Sequence, residues 1–170
     1  MTTSEEPSYI LRHNKTATES ERLDQQHHFI SSFTPGFVSP AIPRAKLVNI
    51  ADIATGTGIW LRELSSTLSH DQPNDRAAPS YTGFDISSSF FPTDLGPDFK
   101  FVQHDILQPF PKEYHGNYDL VHLRLLVGAV LEKQLPIALR NVIELLGHTW
   151  RLSPMGRVAL HQNAFRSRPP

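Results

Sequence analysis

Residues 48–61, Val-Asn-Ile-Ala-Asp-Ile-Ala-Thr-Gly-Thr-Gly-Ile-Trp-Leu, constrain the fold more than any other stretch of the chain. Ile50, Ile53 and Ala54 read as a buried strand. Thr55-Gly56-Thr57-Gly58 reads as a sharp turn, and Ile59, Leu61 and Leu64 as the start of an amphipathic helix. A strand, a tight glycine turn and a helix form the first half of a βαβ unit. Glycine serves where the backbone takes positive φ or where a ligand lies against it. The helix N-terminus behind the turn offers unpaired N–H groups and a partial positive charge. The stretch therefore reads as a cradle for a nucleotide-type cofactor.

The rest of the chain repeats the alternation. Leu23, His27 and Ile30, with Phe29 and Phe33, predict a helix over 20–33, and Glu19 and Glu21 at its start suit the dipole. Three prolines within 34–43 exclude regular structure and mark a linker. Strands are expected at Lys46–Ala54, Tyr81–Ile86, Phe99–Asp105, Tyr118–Leu123 and Arg157–His161. Helices are expected at Ile59–Leu68, Leu125–Leu131 and Leu135–Leu146, with a short turn of helix capped by Ser87-Ser88-Ser89 and stopped by Pro92. This order implies an α/β fold, a mostly parallel sheet with helices on both faces. The expected division is a mobile tail at 1–19, a helix and linker at 20–45, an α/β domain at 46–162 and a polar tail at 163–170.

In such sheets ligands bind at the carboxyl ends of the strands. Asp85, Asp105 and the pair His122 and Arg124 all fall at or just past strand ends, as does the glycine turn. Four strand ends are thus expected to converge on one crevice.

Composition narrows the partners. A length of 170 residues suits one domain with one core. The net charge is −1 with no basic block, which leaves no footprint for a nucleic-acid backbone. With no cysteine there is no disulfide, thiolate nucleophile or thiolate metal site. The first 30 residues lack the apolar core of a signal peptide, and no run approaches the roughly 18 apolar residues that span a bilayer. A cytoplasmic protein is expected. His27 and His28 are neighbours on a helix and point to different faces, so no metal is expected there.

The cofactor class follows by exclusion. A dinucleotide turn wants Gly-x-Gly-x-x-Gly, but Leu61 stands at the third position. No Gly-Lys-Ser/Thr phosphate loop is present. A carboxylate at the end of the second strand, Asp85, suits vicinal ribose hydroxyls, and a second at the end of the third, Asp105, suits an adenine amino group. The site asks for adenosine without a pyrophosphate.

Ala51-Asp-Ile-Ala-Thr-Gly-Thr-Gly-Ile-Trp-Leu61, Gly83-Phe-Asp-Ile-Ser87, Gln103-His-Asp-Ile-Leu107 and Tyr118-Asp-Leu-Val-His-Leu-Arg124 resemble the successive motifs of class I S-adenosylmethionine-dependent methyltransferases. The forms Ala-Thr-Gly-Thr-Gly-Ile-Trp and Val-His-Leu-Arg, with Glu21-Arg-Leu-Asp-Gln-Gln-His27, resemble the LaeA-like group of fungal secondary-metabolism enzymes. The resemblance runs from about Tyr9 to Leu146. It implies a Rossmann-like sheet of order 3-2-1-4-5 and S-adenosyl-L-methionine as cofactor. Ala54, Thr55, Gly56 and Gly58 would carry its methionine part, Asp85 its ribose, and Asp105 and Ile106 its adenine, with Ile86 and His122 also in contact with the cofactor. His122 would line the reaction side as candidate base. Tyr9, Arg22, Gln26, His27 and Arg124 would form a lid or contact substrate.

Two departures stand out. Ala54 replaces the first glycine of the usual Gly-x-Gly-x-Gly. The family also continues past the fifth strand into an antiparallel pair and a substrate-binding portion. The expectation here is a sheet without that pair, whose fifth strand would be an exposed edge open to self-association or a partner. The implied function is methyl transfer to oxygen or nitrogen of a small secondary metabolite. The alternatives are a non-catalytic protein of the same fold that binds the cofactor or a partner protein, and a LaeA-like regulator, which would be nuclear. Asp52 and Asp119 read as structural groups, Phe90-Phe91 as core packing and His104 as an exposed strand residue.

Overall fold

The structure, a computed structural model, describes residues 17–34, 36–40, 42–70, 78–126, 129–147 and 158–161. Tyr9, most of the expected N-terminal tail and the C-terminal tail lie outside them. Helix α1 (Ala17–Ser31) precedes strand β1 (Asn49–Ile53) and helix α2 (Ile59–His70). Strands β2 (Ser80–Asp85), β3 (Phe99–Gln103) and β4 (Leu120–Arg124) follow, then helix α3 (Leu135–Ile143) and strand β5 (Val158–His161). The strands form one sheet of order β3-β2-β1-β4-β5, and every adjacent pair is parallel. The expected α/β architecture and strand order are both present.

Alternation along the strands sorts the core into two layers. Ala51 and Ile53 of β1, Phe84 of β2 and Val121 and Leu123 of β4 pack with Phe110, Tyr118, Ala138, Val142 and Leu145 on the face covered by α3. Ile50, Tyr81 and Leu120 pack on the other face with Trp60, Leu61, Leu64 and Leu68 of α2, and with Val38, Ile42 and Leu47 of the linker. The same parity puts Asp52, His122 and Arg124 on the α2 face, at the upper rim of the sheet. Asp119 is structural, as its sequence position suggests: its Oδ2 accepts from the backbone N–H groups of Val48 and Asn49, each at 2.9 Å, and ties the foot of β4 to that of β1.

Several boundaries depart from expectation. The segment expected as a helix at Leu125–Leu131 is a turn over its described residues. Leu125 sits at φ 62, which ends any regular path after β4, and Ala129 N–H and Val130 N–H both donate to Leu126 O. Helix α3 stops at Ile143, short of Leu146. The i to i−3 bonds Leu145 N to Val142 O and Leu146 N to Ile143 O tighten its end, and Leu146 then bridges to Tyr118. Strand β3 ends at Gln103, so His104 and Asp105 no longer follow strand alternation. Ser87 is a cap as expected, its Oγ accepting from Ser89 N–H at 3.3 Å.

Candidate functional site

The glycine turn is built from alternating left-handed residues. Ala54, Gly56 and Gly58 take φ 56, 55 and 71. The first glycine position of the pattern does require positive φ, and here an alanine carries the strain. Gly58 is needed for packing: a Cβ there would meet the Phe101 ring at 2.8 Å. At Gly56 a Cβ would meet only Leu23 Cδ1 of α1, at 3.6 Å. Thr55 Oγ1 donates to Asp52 Oδ2 at 2.8 Å and anchors the turn to β1. Gly56 N–H donates to Asp85 Oδ2 at 2.9 Å, and Ser87 N–H to Asp85 Oδ1 at 3.0 Å. The expected acid at the tip of β2 is therefore buried against the turn.

A cavity of about 540 Å³ opens over these strand tips, within the range of small-molecule sites. Of the residues singled out in the sequence, Arg22, Gln26, His27, Ala54, Thr55, Gly56, Asp85, Ile86, Ile106, His122 and Arg124 line it. Gly58 and Asp105 are not among the lining residues. Gly58 faces Phe101. Asp105 turns into the following loop, where its Oδ1 accepts from Leu107 N–H at 2.8 Å. His104, expected as exposed, lines the cavity instead, its ring 4.1 Å from that of Phe110. Phe90 also lines the wall, whereas Phe91 packs on Phe101.

The lining residues that were not singled out as functional include Asp52, Trp60 and Leu23. Asp52 and His122 are register partners on β1 and β4. Their side chains meet at 2.7 Å, Nδ1 to Oδ1, both buried. A carboxylate only accepts, so Nδ1 carries the proton, and Nε2 of a neutral ring is then an acceptor. Nε2 has no hydrogen-bond partner among the described residues. The Trp60 indole stacks on the imidazole at 3.8 Å with an interplanar angle of 4° and fixes its plane. The available signal was parity: Asp52 is a polar residue in the buried β1 pattern, as His122 is in β4.

A second chain of bonds joins α1 to the sheet. Arg124 Nη2–H donates to His27 Nδ1 at 2.6 Å, and His27 Nε2–H donates to Glu63 Oε2 of α2 at 2.9 Å. Burial pushes His27 below the usual histidine range, against the pull of its bond to Glu63. His28 Nδ1 lies 3.5 Å from the other oxygen of Glu63. The adjacent histidines thus do reach one partner, contrary to the expectation from helix geometry. Their ligand atoms and the Glu63 carboxylate fall within 4.8 Å of one another. The Arg124 guanidinium cannot accept, so His27 Nε2 keeps its proton, and that tautomer does not offer Nε2 to a metal. Helix α1 also closes on the turn through Thr57 Oγ1, which donates to Asp24 Oδ1 at 2.5 Å.

No protein-family model matches the chain. It is 35% identical over 145 residues to the methyltransferase grgD of a Penicillium species, a match covering 84% of this chain and 51% of that protein. It is 28% identical over 141 residues to the N-methyltransferase gliN of Aspergillus fumigatus, covering 82% and 46%. Among solved structures, human N-acetylserotonin methyltransferase in complex with SAM aligns with a TM-score of 0.55 at 16% identity, over 78% of this chain and 36% of that one. This likeness is one of fold, a Rossmann-like, mostly parallel α/β sheet. The chain spans about half the length of the curated relatives it matches. No helix among its described residues is long and apolar enough to cross a membrane.

Proposed function

We propose that this chain is the cofactor-binding portion of a class I S-adenosylmethionine-dependent methyltransferase that acts on nitrogen or oxygen of a small secondary metabolite. The observation that carries the reading is the bond from Gly56 N–H to Asp85 Oδ2, which joins a left-handed glycine turn to an acid at the next strand tip inside one cavity. The charge of that cavity supports the choice of cofactor. Its lining holds the carboxylates of Glu19, Asp52 and Asp85 against the guanidiniums of Arg22 and Arg124. An acid excess repels a pyrophosphate and suits a sulfonium that also bears an ammonium. The N-methyltransferase name of one relative supports nitrogen as acceptor.

The residues divide the work. Ala54, Thr55 and Gly56 hold the methionine part, and Asp85 accepts from the ribose hydroxyls, since a carboxylate has several acceptor lone pairs. Ile86 and Ile106 form the apolar slot for adenine, while Asp105 shapes the loop that carries Ile106. The cofactor supplies an electrophilic methyl group on sulfur. The chain aligns the acceptor, and His122 Nε2 takes its proton, with Asp52 holding the ring in the accepting tautomer. Arg22, Gln26 and His27 on α1 cover the cavity.

Isothermal titration with S-adenosylhomocysteine, and separately with ATP and NAD, tests the reading. Saturable heat with the first and none with the other two is expected. No heat with S-adenosylhomocysteine, or tighter binding of ATP, overturns it.

A further inference from the structure

We infer that Arg124 is the receptor for the carboxylate of the cofactor's amino-acid tail, an inference that rests on the cofactor reading above. Among the described residues the cavity lining holds two guanidinium cations, and they are in different states. Arg22 is exposed and already closed by Glu19, with Nε and Nη2 donating to the two carboxylate oxygens at 2.8 and 2.7 Å. Arg124 is partly buried at the tip of β4, and among the described residues its one side-chain hydrogen bond is to the neutral ring of His27. A guanidinium has five N–H donors. Among the described residues no carboxylate pairs with Arg124 at salt-bridge distance. Burial disfavours its charged form, and the Asp52 and Glu63 carboxylates, beyond contact distance, offset this only in part. A cation withdrawn from water without an anion in contact is costly, and a planar fork is best satisfied by a bidentate carboxylate.

Topology says where that carboxylate comes from. In the order β3-β2-β1-β4-β5, Asp85 and Arg124 stand at the tips of the two strands that flank β1 and its glycine turn. A ligand laid across the turn with its ribose on Asp85 directs its other end over β4. That end of the cofactor carries the carboxylate. His27 holds the guanidinium in the cavity wall through Nδ1, and Glu63 holds His27, so the receptor is braced from α1 and α2 before a ligand arrives.

The test compares S-adenosylhomocysteine with S-adenosyl-3-thiopropylamine, which keeps the adenosine, the sulfur and the amine and lacks only the carboxylate. Titration calorimetry on the wild-type chain is expected to show at least about a tenfold preference for the carboxylate-bearing ligand, the ratio for a charge-assisted hydrogen bond. Arg124→Gln removes the charge and the guanidinium fork. It is expected to bind the decarboxylated ligand as the wild type does, and to hold the two ligands equally within about threefold. Arg124→Lys, with a point charge in place of the fork, is expected to fall between. A wild-type chain that binds both ligands alike overturns the assignment without any variant. A full preference retained in Arg124→Gln overturns it too, since another group then holds the carboxylate. If neither ligand binds the wild-type chain, the cofactor reading fails and this assignment with it.

Discussion

His122 Nδ1 and Asp52 Oδ1 lie 2.7 Å apart on neighbouring parallel strands at a single register position, under the stacked ring of Trp60. Both are buried, so the bond is made where water competes little. Asp52 also accepts from Thr55 Oγ1 through its other oxygen and thereby couples the imidazole to the glycine turn. Asp52→Asn keeps the shape and removes the charge. It is expected to destabilise the fold by about 1.5–3 kcal/mol, the range for hydrogen bonds to charged groups. Urea denaturation measures this. A midpoint equal to that of the wild type would show that the pair contributes nothing to the fold. The amide also releases the constraint on the imidazole tautomer, and methyl transfer should fall further than the stability loss accounts for.

Asp85 does two jobs in the proposed site, and one substitution removes both. Asp85→Ala removes the acceptor for Gly56 N–H and Ser87 N–H as well as the proposed acceptor for ribose. Affinity for S-adenosylhomocysteine should fall by about 1.5–3 kcal/mol, read by calorimetry. An unchanged dissociation constant in a folded variant would reject the ribose assignment.

The three left-handed residues of the turn predict an order of sensitivity. Holding an L-residue in this conformation costs about 1–2 kcal/mol. Gly56→Ala should lose about that, because its Cβ makes only ordinary contact with Leu23. Gly58→Ala should lose more, because its Cβ also runs into the Phe101 ring at 2.8 Å. Ala54→Gly should gain up to about 1 kcal/mol, the relief being partly offset by the greater freedom of glycine in the unfolded chain. Thermal or chemical denaturation of the three variants ranks them. A Gly58→Ala variant as stable as Gly56→Ala would contradict the packing role of Gly58.

Much of this was legible in the chain, and the illegible parts share a cause. The turn, the alternation and Asp85 are local patterns, so residues 48–61 and 83–87 were enough to place them. Asp52 pairs with His122 because of strand register, which no local window contains. His104 lines the cavity because β3 ends at Gln103, after which parity no longer decides which side chain faces it. Leu125 adopts a positive φ that nothing in the Leu-Leu pattern after Arg124 announces. His27 and His28 reach the same carboxylate because α2 brings Glu63 to where both rings can turn toward it. Helix geometry alone describes where Cβ atoms point and says little of where a long side chain meets another helix.

The His27 link predicts a dependence of stability on pH. Burial holds His27 below its ordinary value of 6.5, and the nearby Arg124 charge adds to this, while Glu63 opposes it. The folded chain then binds fewer protons at His27 than the unfolded chain does. Stability from this group is present in full above 6.5 and is lost as pH falls from there through the lowered folded value. One proton sets a ceiling of about 1.4 kcal/mol per pH unit on that slope. Protonation would also place a donor at Nδ1 against the Arg124 N–H and break the bond that joins α1 to β4. Urea denaturation at pH 7.5 and at pH 5.5 should therefore show a smaller fall for His27→Gln than for the wild type. Equal falls in the two proteins would place the acid sensitivity elsewhere in the fold and remove His27 as the neutral link between helix α1 and the strand tips.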